Sequence, residues 1–335
     1  MKIRDTLTFR DITEIPCLLE DFSARAVETF RSIPAPADRS VYLAGRGSSG
    51  NITLFAKYIW ETYAGIIVNF IHPHSIFEAE IPLNFKNKSV WVFSQSGKSP
   101  DIVQCAKKLK KWGAKTIAVT NESDIRRNIL ARLSDNHILL SNSREIPVAA
   151  TKSYILGLWA ALWAAMMWKR CFSEKDFAGT SAMLRTLIDE QILPEDYELV
   201  KKLKKASVVG FVGRGPYYAV AEDAALKFRE MSRSHALGYS AAEFLHGPIG
   251  SYTDKDFVFI LNRNKTQVQD MNPVKTSLRR RSTPYIEIHP PAGNFPFNCL
   301  FTDVRLKILA LKLALEKGLN PDYPEGLKKV TETKF

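Results

Sequence analysis

Along this chain, apolar runs of four or five residues alternate with longer stretches whose apolar positions recur at helical spacing. VYLAGRGSSG (41–50) reads as a buried strand, a glycine-rich turn and the start of a helix running through Ile59 to about Tyr63. Ile66 to Phe70 is a second apolar run, Ser75 to Ala79 a short polar helix, and Val90 to Phe93 a third strand followed at once by SQSGKSPD. Ile102 to Trp112 predicts a helix, Thr116 to Val119 a strand, Ile125 to Leu130 a short helix and His137 to Leu140 a strand. SREIPVAATKS (143–153) reads as a loop before an uninterrupted apolar helix, Tyr154 to Trp168. Ahead of all this a helix is expected over roughly Cys17 to Ser32, closed by Pro34 and Pro36.

The same order then returns. SVVGFVGRGPYYAVAEDAALKF (207–228) again gives strand, turn and helix, with Gly213-Arg214-Gly215 matching Gly45-Arg46-Gly47. Further strands are expected at Phe257 to Leu261 and Tyr285 to Ile288, and a last helix at Val304 to Glu316. Strands alternating with helices predict the α/β class: two similar modules, each a parallel sheet flanked by helices in three αβα layers, produced by internal duplication. The division expected is a helical arm (1–35), a first module (36–171), a charged helical connector (172–205), a second module (206–320) and an ordered tail (321–335).

Composition narrows the classes. A 45% hydrophobic share over 335 residues suits a globular chain of two ordinary domains. The apolar stretch Tyr154 to Trp168 is shorter than the roughly 18 to 20 residues of a membrane span, so it reads as a helix buried on all sides or at a subunit interface. No basic segment followed by an apolar run opens the chain, so no signal peptide is expected, and the location expected is cytoplasmic. Cys17, Cys105, Cys171 and Cys299 are scattered without CxxC spacing, which fits a reducing compartment and no zinc site. The formal net charge of +12 attracts anions. Its lysines and arginines are dispersed, and Arg279-Arg280-Arg281 comes without a recognition helix, a zinc finger or an aromatic-rich RNA-binding signature. Small phosphorylated anions therefore rank above nucleic acid and membrane.

Two turns carry candidate chemistry of that kind. Ser94-Gln95-Ser96-Gly97-Lys98-Ser99 sits between a strand and a helix, where an open parallel sheet binds ligands. The free N–H groups of the helix start and three hydroxyls suit a phosphate monoester. The spacing is not that of a Walker loop, and GRGSSG is not a dinucleotide fingerprint. Serines that only cap a helix are the plainer reading of one such turn. The second, at Ser48-Ser49, favours phosphate. A third stretch, Lys227 to Pro248, holds Glu230 near a helix end, then a loop-like segment with His235, and then Glu243 and His246-Gly247-Pro248. A carboxylate at that helix end, in apolar company, is expected to have a raised pKa and to carry protons near neutral pH. Taken alone, the stretch reads as a salt-bridged helix end and a capped turn. The phosphate-type turns elsewhere shift the balance toward catalysis.

GRGSSG, SQSGKSPD, VAATKSY, GRGPYYAVAEDAALKFRE, AAEFLHGP and NPDYPEGLKKVTE fall in order along nearly the whole chain. Together they resemble tandem SIS (sugar isomerase) modules, as in the isomerase part of glucosamine-6-phosphate synthase and, more closely, the stand-alone SIS-type glucosamine-6-phosphate deaminases. The resemblance implies a phosphate site at Ser48, Ser49, Ser94, Gln95, Ser96 and Ser99, with Val148 lining the sugar and Lys227 near the site. It implies that Glu230 shuttles a proton between C1 and C2, that His246 helps open the ring, and that Lys329 of the tail approaches the sugar carbonyl. The reaction implied is isomerisation with deamination of glucosamine 6-phosphate to fructose 6-phosphate and ammonia, with no metal and no cofactor. It also implies a homodimer in which His246 completes the neighbouring subunit's site, and no nucleic-acid or membrane partner. Two positions depart from the synthase: Leu237 stands in place of a glutamate and Ala150 in place of a serine near the sugar. No glutaminase domain is expected, because Cys17 is misplaced for one. Neighbouring readings are a deglycase of fructosamine 6-phosphates, a plain sugar-phosphate isomerase, and a sugar-phosphate sensor without turnover.

Overall fold

The computed structural model describes residues 2–190, 195–263, 271–290 and 294–329. The first sheet holds β1 (Ser40–Ala44), β2 (Ile67–Phe70), β3 (Ser89–Phe93), β4 (Lys115–Thr120) and β5 (Asn136–Leu139) in the order β2-β1-β3-β4-β5, parallel throughout. β3 and β4 are almost entirely buried, as strands covered on both faces must be, which is why they read as continuous apolar runs. β1 and β3 are neighbours, with Ala44 opposite Val92, although β2 lies between them in sequence. The carboxyl ends of β1 and β3 therefore form the point where the winding direction reverses, and open parallel sheets bind ligands there.

The second sheet holds β6 (Val209–Gly213), β7 (Ala236–Ser240), β8 (Phe257–Leu261) and β9 (Tyr285–Ile288) in the order β7-β6-β8-β9, again all parallel. That order repeats the first four positions of the other sheet, which is the duplication in structural form. The two GRG turns explain why it can be read from sequence. A Cβ on Gly45 would stand 2.7 Å from the Ser49 carbonyl oxygen, and one on Gly213 would stand 2.2 Å from that of Tyr217. Gly47 and Gly215 take φ of 54° and 60°, which a side chain disfavours. Each turn then opens a helix: α2 (Ser48–Ile59) after the first and α9 (Pro216–Ser232) after the second.

The remaining helices, in chain order, are α1 (Leu7–Arg31), α3 (Pro73–Glu78), α4 (Pro100–Lys111), α5 (Ile129–Leu133), α6 (Lys152–Lys169), α7 (Glu174–Glu190), α8 (Glu195–Lys205), α10 (Ala241–Leu245), α11 (Asn272–Arg280) and α12 (Asn298–Glu316). By spatial contacts the chain forms two compact units. One comprises Cys17–Glu145, Lys152–Glu174 and the tail from Lys328; the other comprises the residues up to Pro16, Ile146–Thr151 and Lys175–Leu327.

Several elements differ from the sequence expectation. α1 begins at Leu7 rather than near Cys17. The Leu7 and Thr8 N–H groups donate to the Asp322 carboxylate at 2.9 and 2.8 Å and the Phe9 N–H to the Thr6 hydroxyl at 3.1 Å, so a residue far along the chain shares the cap with the local threonine. The short helix expected over Ile125 to Leu130 forms instead at Ile129–Leu133, where Asn128 accepts from the Ala131 N–H. Part of the loop-like segment after α9 is a strand, β7, and the whole of α11 had no sequence signal assigned. The connector is two helices, of which α7 buries Phe177, Leu184 and Ile188, with Phe177 packed edge-on to Phe297 at 5.0 Å. The last six residues of the expected tail, 330–335, lie outside the described residues, as do 191–194 within the expected connector.

α6 is buried within one chain from Lys152 to Ala165. Trp159 donates to the Leu19 carbonyl at 3.2 Å and to Ser23 Oγ at 3.0 Å, and Trp168 donates to the Ile33 carbonyl. Of the two expectations for this helix, burial on all sides or at a subunit interface, the first describes Lys152 to Ala165: α1 and its neighbours take up even the indole N–H groups. The helix gives no argument for a dimer.

Candidate active site

The expected site residues divide between the two units. Ser48, Ser49, Ser94, Gln95, Ser96, Ser99 and Lys329 belong to the unit of the first sheet; Val148, Lys227, Glu230 and His246 belong to the other.

In the first set, the loops after β1 and β3 leave adjacent strands at the reversal point. Arg46 Nε donates to Asp101 Oδ2 at 2.8 Å, tying the GRG turn to the first turn of α4. Ser94 is 4% exposed, and its hydroxyl lies 3.4 Å from that of Ser99; the Ser96 hydroxyl accepts from the Lys98 N–H at 3.3 Å. Ser99 stands at the N-cap of α4, yet its side chain makes no capping hydrogen bond, so the capping role weighed from sequence is not what the hydroxyl does. Ser48 and Ser49 open α2 and are half-buried.

The shape of the serine loop depends on a residue the sequence reading passed over. Asn128 is fully buried and donates to Thr120 Oγ1 at 2.7 Å and to the Glu122 carbonyl at 2.8 Å. Its Oδ1 would stand 2.0 Å from a Cβ on Gly97, whose φ is +63°. Gly97→Ala is therefore expected to destabilise the fold by about 1–3 kcal/mol, read as a lower urea midpoint with unchanged slope. An unchanged midpoint would show that the loop is not held in this form.

Lys329 donates to Glu145 Oε2 at 2.9 Å. Glu145 is buried and also accepts from the Ser153 N–H at 3.1 Å and the Ser153 hydroxyl at 2.7 Å. Beside it the buried ammonium of Lys152 donates to Ser143 Oγ at 2.8 Å. Glu145 lies in the stretch assigned only as a loop. Its signal was a lone carboxylate among apolar residues, and the lysine it holds lies near the other end of the chain.

In the second set, Lys227 is fully buried and forms an ion pair with Glu230, one turn away on α9; the Glu230 side chain is 21% exposed. The company of Glu230 is thus not apolar alone, as the sequence suggested, but includes a buried ammonium. The N–H of Val148 donates to the Asp322 carbonyl at 3.1 Å. His246 closes α10 and is exposed, and its ring pairs with none of the described residues. Leu237, one of the two departures, is 46% exposed on β7; Ala150, the other, is half-buried.

The described residues hold no cluster of three or more His, Cys, Asp or Glu able to bind a metal ion. No helix among them is long and apolar enough to cross a membrane.

Comparison with known proteins gives the following. The SIS domain matches residues 36–167 and 202–288. The isomerizing glutamine–fructose-6-phosphate aminotransferase of Sulfolobus acidocaldarius is 32% identical over 265 residues, covering 73% of this chain and 43% of that protein. The chain spans about half the length of the curated relatives it matches. A glucosamine-6-phosphate deaminase from Thermotoga maritima superposes with a TM-score of 0.83 at 23% identity, covering 98% of this chain and all of that one. The C-terminal domain of the glucosamine-fructose-6-phosphate aminotransferase from Francisella tularensis superposes with a TM-score of 0.78 at 21% identity, covering 95% and 98%. At these identities the superpositions show a shared fold.

Proposed function

This chain belongs to the SIS domain family, and from that premise we propose that it is a sugar-phosphate isomerase that deaminates an amino-sugar phosphate, converting glucosamine 6-phosphate to fructose 6-phosphate and ammonia. The observation that carries the reading is the pair of serine-bearing turns at the reversal point of the first sheet. Their helix N-termini and hydroxyls suit a dianionic phosphate, the Arg46–Asp101 pair ties the first turn to α4, and Asn128 lies against Gly97 of the second.

His246 assists opening of the ring. Glu230 removes the proton from C2 of the open-chain aldehyde and returns a proton to C1 through an enediol- or enolamine-like intermediate, leaving the imine of the ketose. Water adds across that imine and ammonia leaves, so the bonds balance without an oxidant or reductant. Lys329, oriented by Glu145, interacts with the sugar carbonyl. The functional form is a homodimer in which His246 completes the neighbouring subunit's site. The exposure of His246, with Leu237 and Leu245 also 46% and 36% exposed, supports that part of the reading.

Ser96→Ala and Ser99→Ala test the phosphate assignment. Each is expected to raise KM far more than it lowers kcat, because a hydrogen bond to a charged group, worth about 1.5–3 kcal/mol, is made both before and during the chemistry. Normal KM in both variants places the phosphate elsewhere.

A further inference from the structure

α9 carries Asp223, Lys227 and Glu230 at spacings of four and three residues, which puts them along one face of the helix. α12 carries Asp303 and Lys307 one turn apart. Asp223, Lys227, Asp303 and Lys307 are all fully buried. The Lys307 ammonium donates to Asp223 Oδ2 at 2.7 Å and also to Asp303, joining the two helices through charge. The Lys227 ammonium pairs with Glu230 and also acts electrostatically on Asp303. The reaction as proposed makes no use of Asp303 or Lys307, and a helix interface can be built from apolar side chains at no loss of stability.

Three carboxylates share this region with two ammonium groups. Burial pushes Asp303 up to about 7; Lys307 opposes the rise, Asp223 adds to it and Lys227 opposes it. Asp303 Oδ1 is buried and has no hydrogen-bond partner, which leaves an oxygen on which a proton can sit. The charged side chains farther along α12 are otherwise engaged: Lys312 with Asp196, and Glu316 with Lys204, both on α8.

We propose that Asp303 and Lys307 are positioning residues. With Asp223 they form a buried charge frame that holds the ammonium of Lys227, and through it the carboxylate of Glu230, in one place. The part concerning catalysis rests on the reading of Glu230 as the proton carrier; the part concerning Lys227 does not. Lys307 balances the charge of Asp223. Without it, the whole charge of Asp223 acts on Lys227 from one turn away on the same face of α9 and draws it from Glu230.

The informative variant is Asp303→Leu/Lys307→Met. Removing Lys307 alone strands two buried carboxylates, whereas removing Asp303 with it leaves only Asp223 to be compensated. In the double variant kcat for glucosamine 6-phosphate is expected to fall about 10- to 100-fold, with KM close to wild type and a lowered melting temperature, because Asp223 loses the Lys307 ammonium. The ¹⁵N ammonium resonance of Lys227, assigned by its loss in Lys227→Arg, is expected to be sharp in the intact protein and to broaden or vanish in the double variant. A folded double variant with unchanged kcat and an unchanged Lys227 resonance would show that the pair only packs the helices. If the wild type turns over no amino-sugar phosphate, the reaction reading fails, while the resonance still decides whether the frame holds Lys227.

Asp303→Asn covers the case in which the double variant does not fold. A carboxyl whose value is raised on folding contributes stability that is fully present below its unfolded value and is lost as pH rises through its folded one. Wild type is therefore expected to lose stability between about pH 4 and pH 7 in a step that Asp303→Asn removes. Identical pH–stability profiles for the two proteins would overturn the charge arrangement proposed.

Discussion

Glu230→Gln is expected to lower kcat by about 10² to 10⁴ while leaving KM almost unchanged. The amide keeps the size and shape of the carboxylate but cannot take a proton from C2. The groups assigned to hold the phosphate lie in the serine loops and are untouched by the change. Lys227 loses its ion-pair partner in this variant, so the loss combines the missing proton carrier with a disturbed neighbour. In the intact enzyme, solvent deuterium should appear at C1 of the ketose product, diluted where the base returns the substrate's own proton. A Glu230→Gln protein with near-normal turnover removes this residue from the chemistry. An intact enzyme that turns over without solvent exchange at C1 argues for direct transfer instead.

Mixing two dead proteins should restore activity. An inactive Glu230→Gln chain coexpressed with an inactive His246→Ala chain forms mixed dimers. If sites are shared between subunits, one site then carries both lesions and the other carries neither, so activity partly returns. The argument rests on His246, an imidazole at the end of a five-residue helix, exposed and paired with none of the described residues. A histidine that opens a sugar ring needs a closed environment, and a second copy of the chain can supply it. Activity that stays absent although heterodimers are shown to form would mean that each chain owns its whole site.

Much of this architecture was written in local pattern. Phe257–Leu261 is legible because a strand buried on both faces is a short apolar run bounded by turn residues, and the half-buried Tyr285–Ile288 because its aromatic and β-branched residues follow Pro284. The GRG turns were legible because each needs glycine twice, once for close approach and once for positive φ. β7 escapes the sequence because Ala236–Ser240 alternates Ala, Gly and Ser with only Leu237 and Tyr239, holds no β-branched residue and so looks like a loop. The duplication could have revealed it, since β2 follows α2 and a counterpart must follow α9.

What escaped the reading was mostly held by long-range contacts. The start of α1 has one local signal, Thr6, whose hydroxyl accepts from the Phe9 N–H, and its remaining cap comes from Asp322 at the other end of the chain. The serines stand out in the sequence as candidate phosphate ligands, but Asn128, which lies against Gly97 of their loop, lies beyond the helix that follows them. Glu145 gains meaning only with Lys329 beside it. Asp303 and Lys307 sit in a helix that also carries Arg305, Lys312 and Glu316, and sequence alone does not say which of its charges face inward.

The most direct test of the central claim is a product balance. The purified protein is given glucosamine 6-phosphate, galactosamine 6-phosphate and fructoselysine 6-phosphate in separate reactions, with ammonia, free lysine and ketose phosphate measured in each. The account predicts ammonia and fructose 6-phosphate in equal amounts from glucosamine 6-phosphate. Release of free lysine from the adduct, with no ammonia from the amino sugar, or tight binding of the amino-sugar phosphates with no product at all, would contradict it.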